Sequence, residues 1–258
     1  MYERASMVAK LPGVARHRDP TSRALARTLS TAALRRLPAE ERDWVGRIEG
    51  RRRELVADRT AVAPSFDARS GAVPGGLLQS GEPIPIGGIA EAFSIPMRWG
   101  VFLIRLVREL APATSLELGT GLGISTAYQA AGLELNGRGE LTTLEGARAW
   151  AEVAEQGLSS LGLAERCRVE VGPIDETLAR VLKEIAPIDY AYLDADHSEE
   201  ATVKHFDAVL PQMAPGGVVV LDDISFSWEM WHAWTKFSRG ERVSVSVALG
   251  RMGLLAVD

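Results

Sequence analysis

The chain has 258 residues, 46% hydrophobic and 24% charged, with a formal net charge of −5; this excludes a disordered or collagenous chain and allows a large buried core. No apolar run approaches the roughly 18 residues a membrane span needs, and the lone Cys167 excludes an internal disulfide and suits a reducing cytoplasm. Charge is uneven, +6 over residues 1–60 and −11 over the remainder, but no basic–aromatic pattern accompanies the arginines, so no nucleic-acid partner is expected.

The Arg- and Ala-rich opening has the composition of an import peptide, yet Glu3, Pro12, Asp19 and Pro20 favour the solvated faces of surface helices. Residues 21–37 set Leu25, Leu29, Ala32, Ala33 and Leu37 on one helical stripe, with Thr21 or Ser22 as N-cap. A second helix is expected from about Pro38, carrying Trp44, Val45, Ile48, Leu55 and Val56. Residues 60–88 are rich in Pro and Gly and follow neither period, which predicts a lid or binding loop. Between Pro96 and Leu110, Trp99, Phe102, Leu103, Leu106, Val107 and Leu110 recur at helical spacing.

After residue 111 the rhythm alternates. Strands are expected at 115–119, 141–145, 167–172, 188–194 and 217–223. Each of the first four is followed by a helix-length amphipathic segment, the signature of a parallel sheet covered on both faces. The closing "RVSVSVALGRMGLLAVD" reads as an antiparallel hairpin around a Gly-containing turn. Two regions result: a helical extension with a long loop over 1–89, acting as a lid or a homodimer contact, and an α/β domain over 90–258.

"LELGTGLGIS" puts Gly119, Gly121 and Gly123 between the first strand and a helix. Glycines there permit positive φ and let a ligand approach the backbone and the helix N–H groups. Glu145 ends the second strand, where a carboxylate can accept from both ribose hydroxyls of a nucleotide-like cofactor. The dinucleotide fingerprint wants its third glycine at position 124, which is Ile124.

Two further strand ends are acidic. "YLDADHSEE" brings Asp194, Asp196 and His197 together, and "VVLDDIS" sets Asp222 beside Asp223. Carboxylates repel unless a cation or substrate holds them. Asp196 or Ser198 also suits the start of the next helix, but the sequence shows no partner for Asp222 and Asp223. In "SFSWEMWHAWTKF", Trp228, Trp231 and Trp234 read first as core packing; their place after the acids makes Trp228 and Trp231 candidates to flank a flat substrate.

"E-L-G-x-G-x-G-x-S", the ribose acid and the terminal hairpin together resemble the class I S-adenosylmethionine-dependent methyltransferases. More narrowly, "LDADH" and "VVLDD" are similar to the metal-dependent O-methyltransferases of the catechol, caffeoyl-CoA and macrocin types. The resemblance implies a Rossmann-like α/β fold with a seven-stranded sheet in the order 3-2-1-4-5-7-6 and strand seven antiparallel. It implies that Glu117, Gly119, Gly121 and Ser125 line the methionine end of the cofactor, that Gly123 and Asp194 also bind the cofactor, that Glu145 holds the ribose, and that Ile174 and Asp175 lie beside adenine. It further implies Mg²⁺ or another divalent ion on Asp194, Asp222 and Asp223, activating the hydroxyl of a small-molecule acceptor. The catechol type has Asn where this chain has Asp223, and Lys as base where it has His197. An imidazole of ordinary pKa suits that task at neutral pH, with Asp196 as the alternative base.

The expected activity is therefore a cytoplasmic, metal-dependent O-methyltransferase. The rivals are a metal-independent N- or C-methyltransferase, a nicotinamide-dependent oxidoreductase, and a cofactor-binding protein without catalysis.

Overall fold

The computed structural model describes residues 14, 19–34, 37–63 and 83–258. The first expected strand is β3 (Thr114–Leu118), followed by α5 (Ile124–Asn136), β4 (Glu140–Glu145), α6 (Arg148–Leu161), β5 (Cys167–Val171), α7 (Ile174–Ile185), β6 (Ile188–Leu193), α8 (Glu199–Val209) and β7 (Met213–Leu221). Helix α9 (Trp228–Phe237) and the hairpin β8 (Val243–Ala248) and β9 (Gly253–Val257) end the chain. The seven strands lie in the order β5-β4-β3-β6-β7-β9-β8. The first five are parallel, and β9 runs antiparallel to both neighbours. This is the order expected from the resemblance.

Period-two alternation divides the strands between two apolar layers. Tyr190, Tyr192, Val218, Val220, Leu254 and Ala256 face the layer that contains α4 and α5, whereas Ala191, Leu193, Val219, Leu221, Leu255 and Val257 face α7, α8 and α9. The strand order reverses direction between β3 and β6. Ligands of open α/β sheets bind at the carboxyl ends beside such a switch, and there the glycine turn and Asp194 meet.

The amino-terminal helices belong to the first layer. Helix α1 (Pro20–Leu34) buries Leu25 and Leu29, and α2 (Ala39–Ala57) buries Ile48 and Leu55. Ala32 and Ala33 lie outside the described side chains. The N-cap expected at Thr21 or Ser22 is Asp19, which accepts from the Ser22 N–H at 2.8 Å; the Thr21 hydroxyl instead donates to the Gly216 carbonyl. Glu41 of α2 is buried against Arg105 of α4 (Met97–Leu110) at 3.0 Å.

The expected loop over 60–88 is structured at both ends. Strand β1 (Ala61–Val62) pairs with β2 (Ile84–Pro85), and α3 (Ile86–Phe93) starts directly afterwards; residues 64–82 lie outside the described ones. No helix among the described residues is long and apolar enough to cross a membrane.

Helices α4 and α5 meet closely because Gly100 has no side chain. A Cβ there would lie 2.2 Å from the buried ring of Tyr128, whose hydroxyl donates to Glu49 at 2.7 Å. Gly100→Ala must displace that ring and should lower stability by about 1–3 kcal/mol. Urea unfolding checks this: a lower midpoint with an unchanged slope is expected, and an unchanged midpoint contradicts the packing.

Candidate functional site

The glycine turn is fixed from below and from the side. Gly119, at φ 92°, donates its N–H to Leu144, and a Cβ there would lie 2.2 Å from the Asp194 carbonyl. That contact seats the end of β6 against the turn, and only glycine allows it. Gly121, at φ 55°, donates its N–H to Glu145 Oε2 at 2.8 Å, and Glu145 Oε1 accepts from the Ala147 N–H at 2.8 Å. Glu145 thus braces the turn from the end of β4. Gly123 starts α5 without a side-chain cap, so the helix presents its backbone N–H groups, and the positive end of its dipole, over the turn. Ser125 sits in that first helical turn and is buried.

Glu117 plays a different part from the one implied. It is 0% exposed and accepts from Thr126 (2.6 Å), Thr143 (2.7 Å) and Gln129 (2.6 Å). Burial pushes its carboxyl up to about 7, against the pull of those donors. It clamps β3, β4 and α5 together under the turn and has no surface of its own to offer a cofactor. Ile174 is buried at the start of α7. The Asp175 carboxylate is drawn to α8, to Lys204 at 2.5 Å and His205 at 3.1 Å; Lys204 first, then His205, holds it below the usual range.

A second cluster fills the ends of β6 and β7. Asp222 is 1% exposed, and three donors converge on it: Arg251 Nε at 2.7 Å and the Asp223 N–H at 2.8 Å on Oδ1, and the Tyr192 hydroxyl at 2.5 Å on Oδ2. Burial and the Asp194 charge push its pKa up, and the Arg251 guanidinium opposes them. Asp223 has a left-handed backbone, φ 51°, a conformation Asp tolerates better than most residues. That twist turns its carboxylate back toward Arg251 Nη2 at 3.0 Å and His197 Nε2 at 3.1 Å. Asp194 takes the Tyr192 hydroxyl at 3.2 Å and His197 Nε2 at 3.4 Å.

The acids at the two strand ends therefore have protein partners, contrary to the expectation from sequence. Tyr192 stands two residues before Asp194 on the same strand face, a signal that alternation supplied. Arg251 arrives from the turn between β8 and β9, 28 residues after Asp223 in the chain, and only the sheet order brings it there. Phe226, also missed, lies against the His197 ring with centroids 5.5 Å apart.

Magnesium held by Asp194, Asp222 and Asp223 does not fit this arrangement. Mg²⁺ wants a near-octahedral shell of oxygens, but Asp222 Oδ1 is filled by two donors, Oδ2 accepts from Tyr192, and the Arg251 guanidinium lies across Asp222 and Asp223. The donors that do converge are Asp194, His197 and Asp223, whose ligating atoms lie within 4.8 Å of one another. This is a mixed nitrogen–oxygen set, and Asp223 already shares its oxygen with Arg251.

Asp196 Oδ1 accepts from the Ser198 N–H at 2.8 Å and Ser198 accepts from the Ala201 N–H, so both start α8. The tryptophans of α9 part company because a three-residue step slips back about 60° around a helix. Trp234 is buried, whereas Trp228 is 78% exposed and Trp231 is exposed as well.

His197 is not an imidazole of ordinary pKa. Burial pulls it down, but Asp194 and Asp223 outweigh that and push it up from 6.5 to about 10. A histidine whose folded pKa exceeds its unfolded one adds stability that is complete below about pH 6.5 and fades as pH rises toward 10. His197→Gln should therefore cost most stability at pH 6 and progressively less as pH rises from about 6.5 toward 10. Denaturant titrations of both proteins across that range measure the difference; a gap that does not vary with pH contradicts the ion pair.

Residues 116–224 match the family described as a methyltransferase domain. The chain is 32% identical over 134 residues to a catechol O-methyltransferase of Niastella koreensis, covering 52% of this chain and 59% of that protein. It is 33% identical over 131 residues to a catechol O-methyltransferase of Mycobacterium tuberculosis, covering 51% and 57%. The chain thus spans under two thirds of the length of these curated relatives. Among solved structures, an O-methyltransferase of Bacillus cereus in complex with SAH superposes at a TM-score of 0.55, with 23% identity over 64% of this chain and 83% of that one. The O-methyltransferase TomG of Streptomyces achromogenes, in complex with SAM, gives 0.55, with 21% identity over 76% and 92%. With the strand order β5-β4-β3-β6-β7-β9-β8, these likenesses show the Rossmann-like α/β fold of class I methyltransferases, with residues 116–224 similar to a methyltransferase domain.

Proposed function

We propose that the protein is an S-adenosylmethionine-dependent O-methyltransferase acting on a hydroxyl of a small molecule, in the reducing cytoplasm that the lone Cys167 suits. One observation carries this reading: the Gly119–Gly123 turn, braced by Glu145, touches the backbone of Asp194, so a cofactor cradle and a proton-handling cluster share one edge of the sheet. S-adenosylmethionine bound at the turn would supply an electrophilic methyl group on its sulfonium. The N–H groups at the start of α5 and Ser125 would meet its methionine end, with Asp194 near the ammonium. Glu145 retains lone pairs for the ribose diol, and Ile174 offers an apolar edge to the adenine. The names of the relatives, catechol O-methyltransferases in two organisms, favour a hydroxyl as acceptor.

His197 lines the cleft with Asp196, Thr202 and His205, and it faces the acceptor side through Phe226. In its protonated form it can orient the acceptor oxygen but cannot take its proton. Only the neutral fraction acts as base, so kcat/KM should keep rising with pH toward about 10 instead of levelling off just above 6.5. Exposed Phe226, Trp228 and Trp231 form an aromatic margin suited to a flat acceptor. Among the described residues, divalent-metal dependence has one donor group to rest on, Asp194, His197 and Asp223; it is the second reading, and turnover lost in EDTA and recovered with Mg²⁺ would select it.

The direct test is transfer of labelled methyl from S-adenosylmethionine to a panel of catechols, vicinal diols and hydroxylated natural products. Calorimetry supplies the companion measurement. Glu145→Ala removes the brace of the turn and the ribose acceptor, and should weaken cofactor binding by roughly 1–3 kcal/mol. Binding of NAD in place of S-adenosylmethionine would overturn the assignment.

A further inference from the structure

We propose that Arg251 is the resident cation of the site, standing where the resemblance implies a divalent metal, and that the transferase works without added metal ion. The inference rests on the methyltransferase reading above, but its main measurement does not depend on turnover. The β6 and β7 strand ends carry three carboxylates, Asp194, Asp222 and Asp223. Charges of one sign collect like this only when something positive is built in or bound.

Arg251 is built in. Its guanidinium bridges two adjacent carboxylates, with Nε on Asp222 at 2.7 Å and Nη2 on Asp223 at 3.0 Å. A planar fork matches that pair of acceptors, which a point charge such as lysine does not. Its main chain is tied down as well. The Arg251 carbonyl accepts from the Ile224 N–H at 2.9 Å, and the turn closes with Leu249 N–H to Met252 at 2.8 Å. The hairpin turn therefore docks on the end of β7 through backbone and side chain together.

This placement fills Asp222 Oδ1 with two donors, Arg251 and the Asp223 N–H, sets the Tyr192 hydroxyl on Oδ2, and lays the guanidinium over the face a shared ion would need. A divalent ion would have to displace the guanidinium or sit beside it against charge repulsion. Arg251 also reaches the chemistry at one remove. Asp223 Oδ2 is shared between Arg251 and His197, so the guanidinium fixes the carboxylate that orients the imidazole. Arg251 is a positioning residue.

Mn²⁺ titration followed by electron paramagnetic resonance tests this on the full chain, because bound Mn²⁺ loses the free-ion signal. The wild-type protein should leave millimolar Mn²⁺ free and turn over equally in EDTA and in Mg²⁺. Arg251→Ala leaves three carboxylates facing the His197 charge alone and should gain a site for one Mn²⁺, binding an order of magnitude or more tighter than wild type. Adding Asp222→Asn should remove it. Guanidinium ion at non-denaturing concentration should restore part of the turnover that Arg251→Ala loses, which a merely structural role would not predict. Arg251→Lys, which keeps the charge without the fork, covers the case in which the alanine variant does not fold; it too should lose rate while leaving Mn²⁺ free. Stoichiometric Mn²⁺ binding by the wild type that Asp222→Asn abolishes overturns the proposal, as does a folded Arg251→Ala that gains no site. Failure to bind S-adenosylmethionine would instead sink the methyltransferase reading and leave the Mn²⁺ result standing.

Discussion

A buried carboxylate sets the terms for this end of the molecule. Asp222 is taken out of water at the tip of β7, where burial alone would cost several kcal/mol for the ionised form. Three convergent donors offset that cost, and the charged one comes from the far end of the chain. The topology makes this possible: β9 enters between β7 and β8 in antiparallel sense, so the β8–β9 turn lies at the carboxyl end of β7. Arg251 in that turn then organises Asp223, and Asp223 with Asp194 organises His197. Cleft geometry and histidine charge both follow from a pairing between strands that are not consecutive in the chain.

The glycine-turn end of the sheet follows a complementary logic. Its acids accept from neutral donors instead of cations. Glu117, sealed under the turn, fastens β3, β4 and α5 through Thr126, Thr143 and Gln129, while Glu145 holds the N–H groups of Gly121 and Ala147. A glycine-rich turn would otherwise be the most mobile element of the sheet edge. Clamped by two carboxylates and by the close approach of Gly119 to Asp194, it presents a preformed surface, which lowers the ordering cost of binding. Phe226, Trp228 and Trp231 are exposed in the segment that follows Asp223.

Most of the sheet was legible in the sequence, because parallel strands buried on both faces leave continuous apolar runs, and glycine and acid punctuate their ends. The five strands and the terminal hairpin fall where those runs predict. The helices of the extension were legible by period, but the cap of α1 was not: Asp19 lies two residues before the expected Thr21, and Thr21 is drawn away by Gly216. The clustering of side chains at the strand ends was partly legible. Residue types at strand ends placed Asp194, His197, Asp222 and Asp223 together, yet local sequence could not show that Asp222 faces Arg251, because that contact spans 29 residues and depends on strand order. For the same reason His197 looked like an ordinary imidazole, and Asp175 looked free for a ligand when Lys204 and His205 hold it.

If Arg251 and Asp222 act as one unit, their substitutions must not add. The most direct measurement is a double-mutant cycle in unfolding free energy with Arg251→Met, Asp222→Asn and the pair, at neutral pH in the absence of metal. Removing either partner alone strands the other, so each single variant should lose more than half of what the double variant loses, with a coupling of about 1–3 kcal/mol. A coupling within about 0.3 kcal/mol of zero would mean that the two groups are neighbours without being partners.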